Sequence, residues 1–131
     1  MIGMTVDDVL DGIMDSLGEK YPGTTMAVGE AKEDYPKPLF AVKLMSVANN
    51  REMGRRYQLI HQFKIEYMTL VPTYKGLHDT ANHLYTILEN IAVAGNLIQG
   101  RGMRHEIING VLHFYVHFNF HALSVVTRGA G

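Results

Sequence analysis

The sequence predicts a single α+β domain, built as one antiparallel-rich sheet with two helices packed on one face. The chain has 131 residues, the length of one ordinary domain. Residues 111–123 alternate between apolar and polar side chains, which is typical of a strand with one buried face. Two segments, residues 5–17 and 77–93, instead repeat apolar residues at helical spacing. The predicted order of elements is therefore α-β-β-β-α-β-β.

The most regular strand pattern is the run VLHFYVHFNFHAL, at residues 111–123. One side of this strand carries Leu112, Phe114, Val116, Phe118 and Phe120. The other side carries His113, Tyr115, His117, Asn119 and His121. Burying large apolar side chains is worth roughly 1.5–3 kcal/mol each before entropy is subtracted. We therefore expect both helices to pack on the phenylalanine face.

The first helix is predicted to begin after Thr5, with Asp8 three residues later in a variant of the capping box. It is predicted to end near Gly18. The acidic side of this helix could be a catalytic cluster, but a solvated helix face is the preferred interpretation. A short strand is predicted at residues 24–28. A second strand, residues 39–47, is apolar on both faces, which predicts a cover on each side, with another subunit as one candidate.

Residues 55–71 form the third predicted strand. Fully extended, this segment would reach roughly 55 Å at about 3.3 Å per residue. A compact domain of this size has a diameter of roughly 36 Å. The hairpin at residues 39–71 is therefore predicted to bend strongly or to project from the domain, where it could lie on a neighbouring molecule.

The second helix is predicted at residues 77–93, followed by an irregular stretch at 97–102 and a fourth strand at 103–108. Asn109 and Gly110 predict a two-residue type I′ turn into the last strand. That turn fixes the register, so that Arg104 lies opposite Tyr115, and Glu106 opposite His113. On the apolar face, His105 is expected to be a hydrogen-bonded core residue rather than a metal ligand.

Composition narrows the class of protein. The net charge is −1, so no overall field favours nucleic acid or anionic lipid. The chain has no cysteine, which excludes disulfides and thiolate chemistry. Its first residues lack the pattern of a signal peptide, and no apolar run approaches the ~20 residues that span a bilayer. We expect a soluble intracellular protein with frayed ends at residues 1–4 and 124–131.

The sequence gives little support for an enzyme or a metal protein. Three of the seven histidines share a face of the last strand, but steps of four along a strand separate neighbours by roughly 13 Å. One zinc ion, with bonds of about 2 Å, would not join two of them. No nucleophile–base pair, phosphate-binding loop or H-E-x-x-H motif is present. We expect no catalytic residues, cofactor or metal.

Two surfaces are candidates for contact with other molecules. Arg51, Arg55 and Arg56 cluster near the tip of the long hairpin, with Tyr57 and Leu59 following them. These arginines could bind nucleic-acid phosphates, or pair with acidic residues of a neighbouring subunit, or simply be solvated.

The second candidate is the polar face of the last strand, which carries His113, Tyr115, His117 and Asn119. We interpret it as aromatic-rich and low in charge, a composition closer to a buried contact surface than to a solvated one. A wet sheet face is the alternative.

Five segments of the chain resemble one protein family. They are KPLFAVKLM, MGRRYQ, FKIEYM, LHDTANHLYTILENI and NLIQGRGMRHEIINGVLHFYVHFNF. They resemble the tail terminator proteins of PBSX-like prophages and contractile-tailed phages, and similar proteins of contractile bacteriocins. The resemblance implies a structural protein, not an enzyme. It would form a ring, typically a hexamer, that caps the head-proximal end of the tail tube and stops tube growth.

The implied partners are further copies of the chain, the tail tube protein, and the sheath and neck or connector proteins, with no specific nucleic acid and no membrane. The implied location is the virion tail, or a phage-tail-like particle, assembled in the cytoplasm of the bacterial host. From the residues alone, a dimeric small-ligand-binding or regulatory α+β domain stays open as the alternative.

Overall fold

The structure is a computed structural model that describes residues 5–32, 34–51 and 57–121. The ends expected to fray, residues 1–4 and 124–131, lie outside the described residues. The elements follow in the order α1 Val6–Lys20, β1 Thr25–Val28, β2 Leu39–Arg51, β3 Tyr57–Met68, α2 Tyr74–Ile87, β4 Asn90–Val93, β5 Asn96–Ile108 and β6 Val111–His121. The α+β class and a mostly antiparallel sheet are confirmed, with one strand more than the sequence predicted.

The six strands form one sheet in the order β1-β2-β3-β6-β5-β4. β1 runs parallel to β2, and every other neighbouring pair is antiparallel. The turn at Asn109 and Gly110 sets the predicted register, because Ile108 pairs with Val111. Both residues of this turn have positive φ, 51° and 75°, as a type I′ turn requires. Arg104 lies opposite Tyr115, as the sequence predicted.

Both helices pack on the phenylalanine face of the sheet, as predicted. The side chains of Phe114 and Phe118 are completely buried there. They share one apolar core with Ile13 and Leu17 of α1 and with residues of α2. Helix α1 begins with the predicted capping box, in which the backbone N–H groups of Thr5 and Asp8 each donate to the other's side chain. The helix continues two residues past Gly18, to Lys20.

The prediction for residues 77–102 was partly wrong. The second helix starts earlier, at Tyr74, and ends at Ile87. The next residues form the hairpin of β4 and β5, turning at Ala94 and Gly95, whose φ angles of 50° and 83° are positive. Ile91 and Val93 are buried and alternate with exposed neighbours, as in a strand with one buried face. The sequence analysis missed this alternation because the same apolar residues also fit the spacing of a helix. The supposedly irregular stretch at 97–102 belongs to β5.

The first half of β2 needs no cover from another subunit, which the sequence analysis named as one candidate for its second face. Leu39 and Ala41 point away from the helices, yet they are 0% and 2% exposed within the single chain. Further along β2, Met45 and Val47 are each 46% exposed. The described part of the long hairpin therefore leaves the core between Val42 and Val47.

Candidate assembly surfaces

The first candidate surface is the far end of the hairpin of β2 and β3. Arg51 ends β2 and pairs with Tyr57 across the hairpin, and Asn49 pairs with Leu59. Three of the predicted contact residues, Arg51, Tyr57 and Leu59, therefore lie close together along the backbone of this hairpin. Arg55 and Arg56 lie outside the described residues. Their predicted role in binding a subunit or partner therefore stays a prediction.

The hairpin also leaves a strand edge without a partner. β1 pairs only with Leu39–Val42 of β2. No described strand pairs with the same side of residues 43–51, which we call the β2 free edge. Exposed edges of this kind are templates for pairing with another chain, and proteins usually protect them. The exposed apolar side chains of Met45 and Val47 lie on this edge.

A second edge is open at the other side of the sheet. β4 pairs with residues 96–99 of β5 and goes no further. The following residues 101–108, which we call the β5 free edge, have β6 on one side and no described strand on the other. Ile108, at the end of this edge, is 45% exposed.

The third candidate surface is the outer face, the face of the sheet turned away from the helices. Its residues form rows that cross the strands. One row contains Lys43, Lys64, Tyr115 and Arg104 in neighbouring strands. We call its three cations the basic row. The next row contains Ala41, Glu66, His113 and Glu106. The polar face of β6 is itself low in charge, but the neighbouring strands add lysines, an arginine and glutamates, so the outer face as a whole is charged.

Several of these charges are held in place by neighbours. The ammonium group of Lys64 lies 3.3 Å from Oε2 of Glu66, and the two side chains are only 15% and 14% exposed. Nδ1 of His113 lies 3.2 Å from the same oxygen but makes no hydrogen bond in this geometry. Lys43 donates to Glu30, from the loop that follows β1. Ordered side chains lose less conformational entropy when a partner binds than free ones do.

Tyr115 lies between the basic and acidic residues and contacts both. Its hydroxyl donates a hydrogen bond of 2.9 Å to Glu106. The guanidinium carbon of Arg104 lies 4.0 Å from the centre of its ring, a cation–π contact. Burial and the bond to Glu106 raise the pKa of the Tyr115 hydroxyl, so it stays protonated and keeps donating at neutral pH.

His117 and Asn119 complete the predicted set on β6. Gly102, with a φ of 58°, lies against the imidazole of His117, so closely that a Cβ there would be 2.6 Å from the ring. Burial, followed by the charge of Arg101, lowers the pKa of His117. Oδ1 of Asn119 is buried without a hydrogen-bond partner among the described residues. All four predicted residues of β6 therefore share the outer face, and their role in an interface stays a prediction.

The helix side of the sheet holds a chain of polar groups that the sequence signalled only in part. Nε2 of His105 lies 2.8 Å from Nδ1 of His78, and its Nδ1 lies 2.9 Å from the hydroxyl of Tyr85. This confirms that His105 is a hydrogen-bonded residue of the apolar face. Burial, with a smaller contribution from His78, lowers the pKa of His105. Groups of three or more potential metal ligands are absent from the described parts of the chain.

The lowered pKa values of His105 and His117 predict a dependence of stability on pH. Their ordinary pKa is 6.5. Above that value both histidines are neutral in the folded and unfolded states. As the pH falls below it, these histidines take up protons in the unfolded chain but stay neutral in the folded chain. The free energy of unfolding therefore decreases with falling pH until the pH is below the folded-state pKa values. Urea unfolding at pH 7.5 and 5.5 should show this loss, and the loss should be smaller in a His105→Gln/His117→Gln variant. An equal loss in the variant would contradict the assignment.

Fold and surface together define a structural class: an α+β protein whose sheet is open at two edges and charged in rows on its outer face. Within that class, the chain belongs to the phage tail terminator family, whose model matches residues 8–129. It is therefore a structural component of a phage tail that associates with other tail proteins.

One solved protein structure aligns with 91% of this chain and 96% of its own, at 12% identity and a TM-score of 0.49. No curated protein matches the sequence. Among the described residues, no helix has the length and hydropathy needed to cross a bilayer.

Sequence reasoning found the hairpin and the face of β6, but it missed the basic row and the β5 free edge. The basic row could have been found by pairing Lys43 with Lys64 across the predicted hairpin, had the β-bulge between Leu44 and Ser46 been known. The β5 free edge depends on where β4 ends. That end could not be predicted while β4 was assigned to a helix.

Proposed function

We propose that the chain forms a ring, of six subunits, that caps the head-proximal end of a contractile tail tube. The ring stops growth of the tube and presents its other face to the neck or connector. Sheath protein is a further neighbour in this position, and assembly takes place in the cytoplasm of the bacterial host. The proposal starts from membership of the tail terminator family.

The observation that carries the proposal is the β2 free edge. A strand edge with exposed Met45 and Val47 is a hazard in a monomer, since it invites pairing with any other chain. The same edge is useful in a protein whose task is to associate with copies of itself. A ring also needs contacts that differ on the two sides of each subunit, because identical contacts would close a dimer. The β2 free edge and the β5 free edge are different segments at opposite sides of the sheet, so a contact that joins one to the other is of this kind.

The arrangement also suggests how growth would stop. One face of the ring would match the last layer of the tube, and the other would lack the surface that a further tube subunit needs. Arg51, Arg55 and Arg56 are placed by the proposal at a contact with a neighbouring subunit or partner, as are His113, Tyr115, His117 and Asn119 on the outer face. Cofactors, metal ions and nucleic-acid sequence play no part in it.

The first test is the native mass by light scattering over a range of protein concentrations, alone and with tube protein. We expect a species of six times the subunit mass of 14.7 kDa. Added to polymerising tube protein, it should shorten the tubes and appear at one end of each. A tight dimer that leaves tube length unchanged would contradict the proposal and favour the small-ligand-binding or regulatory alternative.

A further inference from the structure

We propose that the β2 free edge of one subunit pairs antiparallel with the β5 free edge of the next copy of the chain. The sheet would then continue from subunit to subunit around the ring. This inference rests on the proposed ring and names the two surfaces that close it. Three features of the backbone support it, and each concerns residues that the structure describes.

The first feature is strand direction. β2, β3, β6 and β5 are successive antiparallel neighbours. β5 therefore runs opposite to β2 within one subunit. In a ring, rotation about the axis keeps the direction of every strand along that axis. The β2 free edge of one subunit thus meets the β5 free edge of the next in the antiparallel sense.

The second feature is the side to which the free N–H and C=O groups point. These groups alternate along a strand, so each residue bonds to one neighbour only. On β2, the carbonyl of Val42 accepts from Gly29, on the side away from β3. Leu44 and Val47 have the same orientation, because they oppose Phe63 and His61 on β3, two residues apart. Their backbone groups point out of the sheet at the β2 free edge.

The β5 free edge has the matching arrangement. The N–H of Gly100 donates to Glu89, on the side away from β6. Ile108 and Val111 close a two-residue turn and face each other, so the alternate residues Ile107 and His105 point away from β6. Ile107 packs against the core on the helix side, as Leu44 does on β2. On both edges the outward backbone groups therefore belong to residues with helix-side side chains.

This match decides whether a continuous sheet is possible. Directly opposite residues of an antiparallel pair have their side chains on the same face. Hydrogen bonding between the two free edges therefore keeps the helices of both subunits on one side. Had one edge exposed the backbone of outer-face residues instead, pairing would have placed the helices of alternate subunits on opposite sides.

The third feature is length. The free segments, residues 43–51 and 101–108, are of similar length, and each contains one β-bulge. Placing Leu44 opposite Ile107 brings the two segments together over their whole length and leaves room for β1 and β4. In this register Val47 lies opposite His105, and Ala48 opposite Arg104. The exposed side chains of Val47 and Ile108 would be covered.

Cysteine cross-linking tests this register directly, since the chain has no cysteine of its own. Ala48 and Arg104 are both exposed. They would form a non-hydrogen-bonded pair with Cα atoms about 4.5 Å apart, a separation that a disulfide can span. Oxidising the Ala48→Cys/Arg104→Cys variant should give a ladder of covalent multimers up to the full ring. The variant Ala48→Cys/Ala92→Cys, with its second thiol on β4, is the control and should give none.

The outcomes separate this inference from the proposed function. A ring that caps tubes but does not cross-link would overturn the edge pairing and leave the function intact. Cross-linked pairs without longer products would overturn it as well, because they indicate a closed dimer. Absence of a ring and of any effect on tube length would count against the proposed function itself.

Proline substitution gives a second, independent test. The N–H of Val47 points out of the sheet, so Val47→Pro removes no bond within the subunit, and edge strands tolerate proline there. The N–H of Ala48 points towards β3, so Ala48→Pro breaks the hairpin. We expect Val47→Pro to melt near the wild-type temperature and to lose the ring, whereas Ala48→Pro should lower the melting temperature. A stable Val47→Pro ring would overturn the proposal.

Discussion

Replacing Gly100 with alanine is expected to destabilise the protein by about 3 kcal/mol or more, the upper end for overpacking a closed site. A Cβ at this position would lie 2.2 Å from the carbonyl oxygen of Leu88 and 3.0 Å from a methyl group of Val116. The N–H of Gly100 also donates to Glu89, with 3.0 Å between the heavy atoms. The chain leaving α2 thus crosses directly over residue 100. Both groups that a Cβ would strike, the Leu88 carbonyl and the Val116 methyl, belong to the packed interior.

The matched control is Gly18→Ala. Gly18 lies inside α1, and a Cβ there would meet no atom within 4 Å. Alanine is favoured over glycine in a helix by about 1 kcal/mol, so this variant should be slightly more stable than the wild type. Urea unfolding of both variants measures the difference. A Gly100→Ala variant as stable as Gly18→Ala would show that the crossing can move aside at little cost.

The strands flanking Gly100 show which parts of the fold the sequence could predict. β6 could be predicted because its alternation is strict and because a two-residue turn fixes its register. Phe114 and Phe118 then had to be buried, and the helices had to cover them. Each of these inferences depends only on side chains within a few positions of one another.

β4 could not be predicted in the same way. The segment at residues 88–93 continues the apolar spacing of α2, so a helix and a strand fit it equally well. Ile91 and Val93 become strand residues because they pack with the rest of the core and because α1 lies against β4 through Gly12. A Cβ on Gly12 would lie 2.8 Å from the carbonyl oxygen of Ala92. That contact joins residues far apart in sequence, which local patterns do not reveal.

The candidate surfaces also differ in whether local sequence patterns could predict them. The polar face of β6 follows from its own alternation, and its four predicted contact residues, His113, Tyr115, His117 and Asn119, lie on the outer face. The basic row needs the register of four strands, including a bulge in β2 and another in β5. The family resemblance, not the spacing of residues, supplied the role in a phage tail. The edge geometry adds how the subunits would meet.

Removing the end of the long hairpin, residues 45–58, should abolish ring assembly and leave a folded subunit. In this variant Leu44 is joined to Leu59, so that residues 59–62 close the turn. The described side chains removed at residues 45–48 are all exposed, whereas Phe40, Val42, Phe63 and Ile65, which are buried, are retained. We expect a monomer by light scattering at every concentration, cooperative thermal unfolding at a lower temperature, and tubes that grow to uncapped lengths in its presence.

A control for the loss of exposed apolar surface is the variant Leu70→Ser/Val71→Ser. These side chains are 74% and 77% exposed, in the loop between β3 and α2. If assembly depends on the free edge, the double serine variant should form rings and cap tubes as the wild type does. Rings from the truncated chain would show that the hairpin is not the interface. A truncated chain that fails to fold would show instead that the hairpin contributes to the core. His61, which pairs with Val47 and is only 4% exposed, is the buried residue whose surroundings the truncation changes.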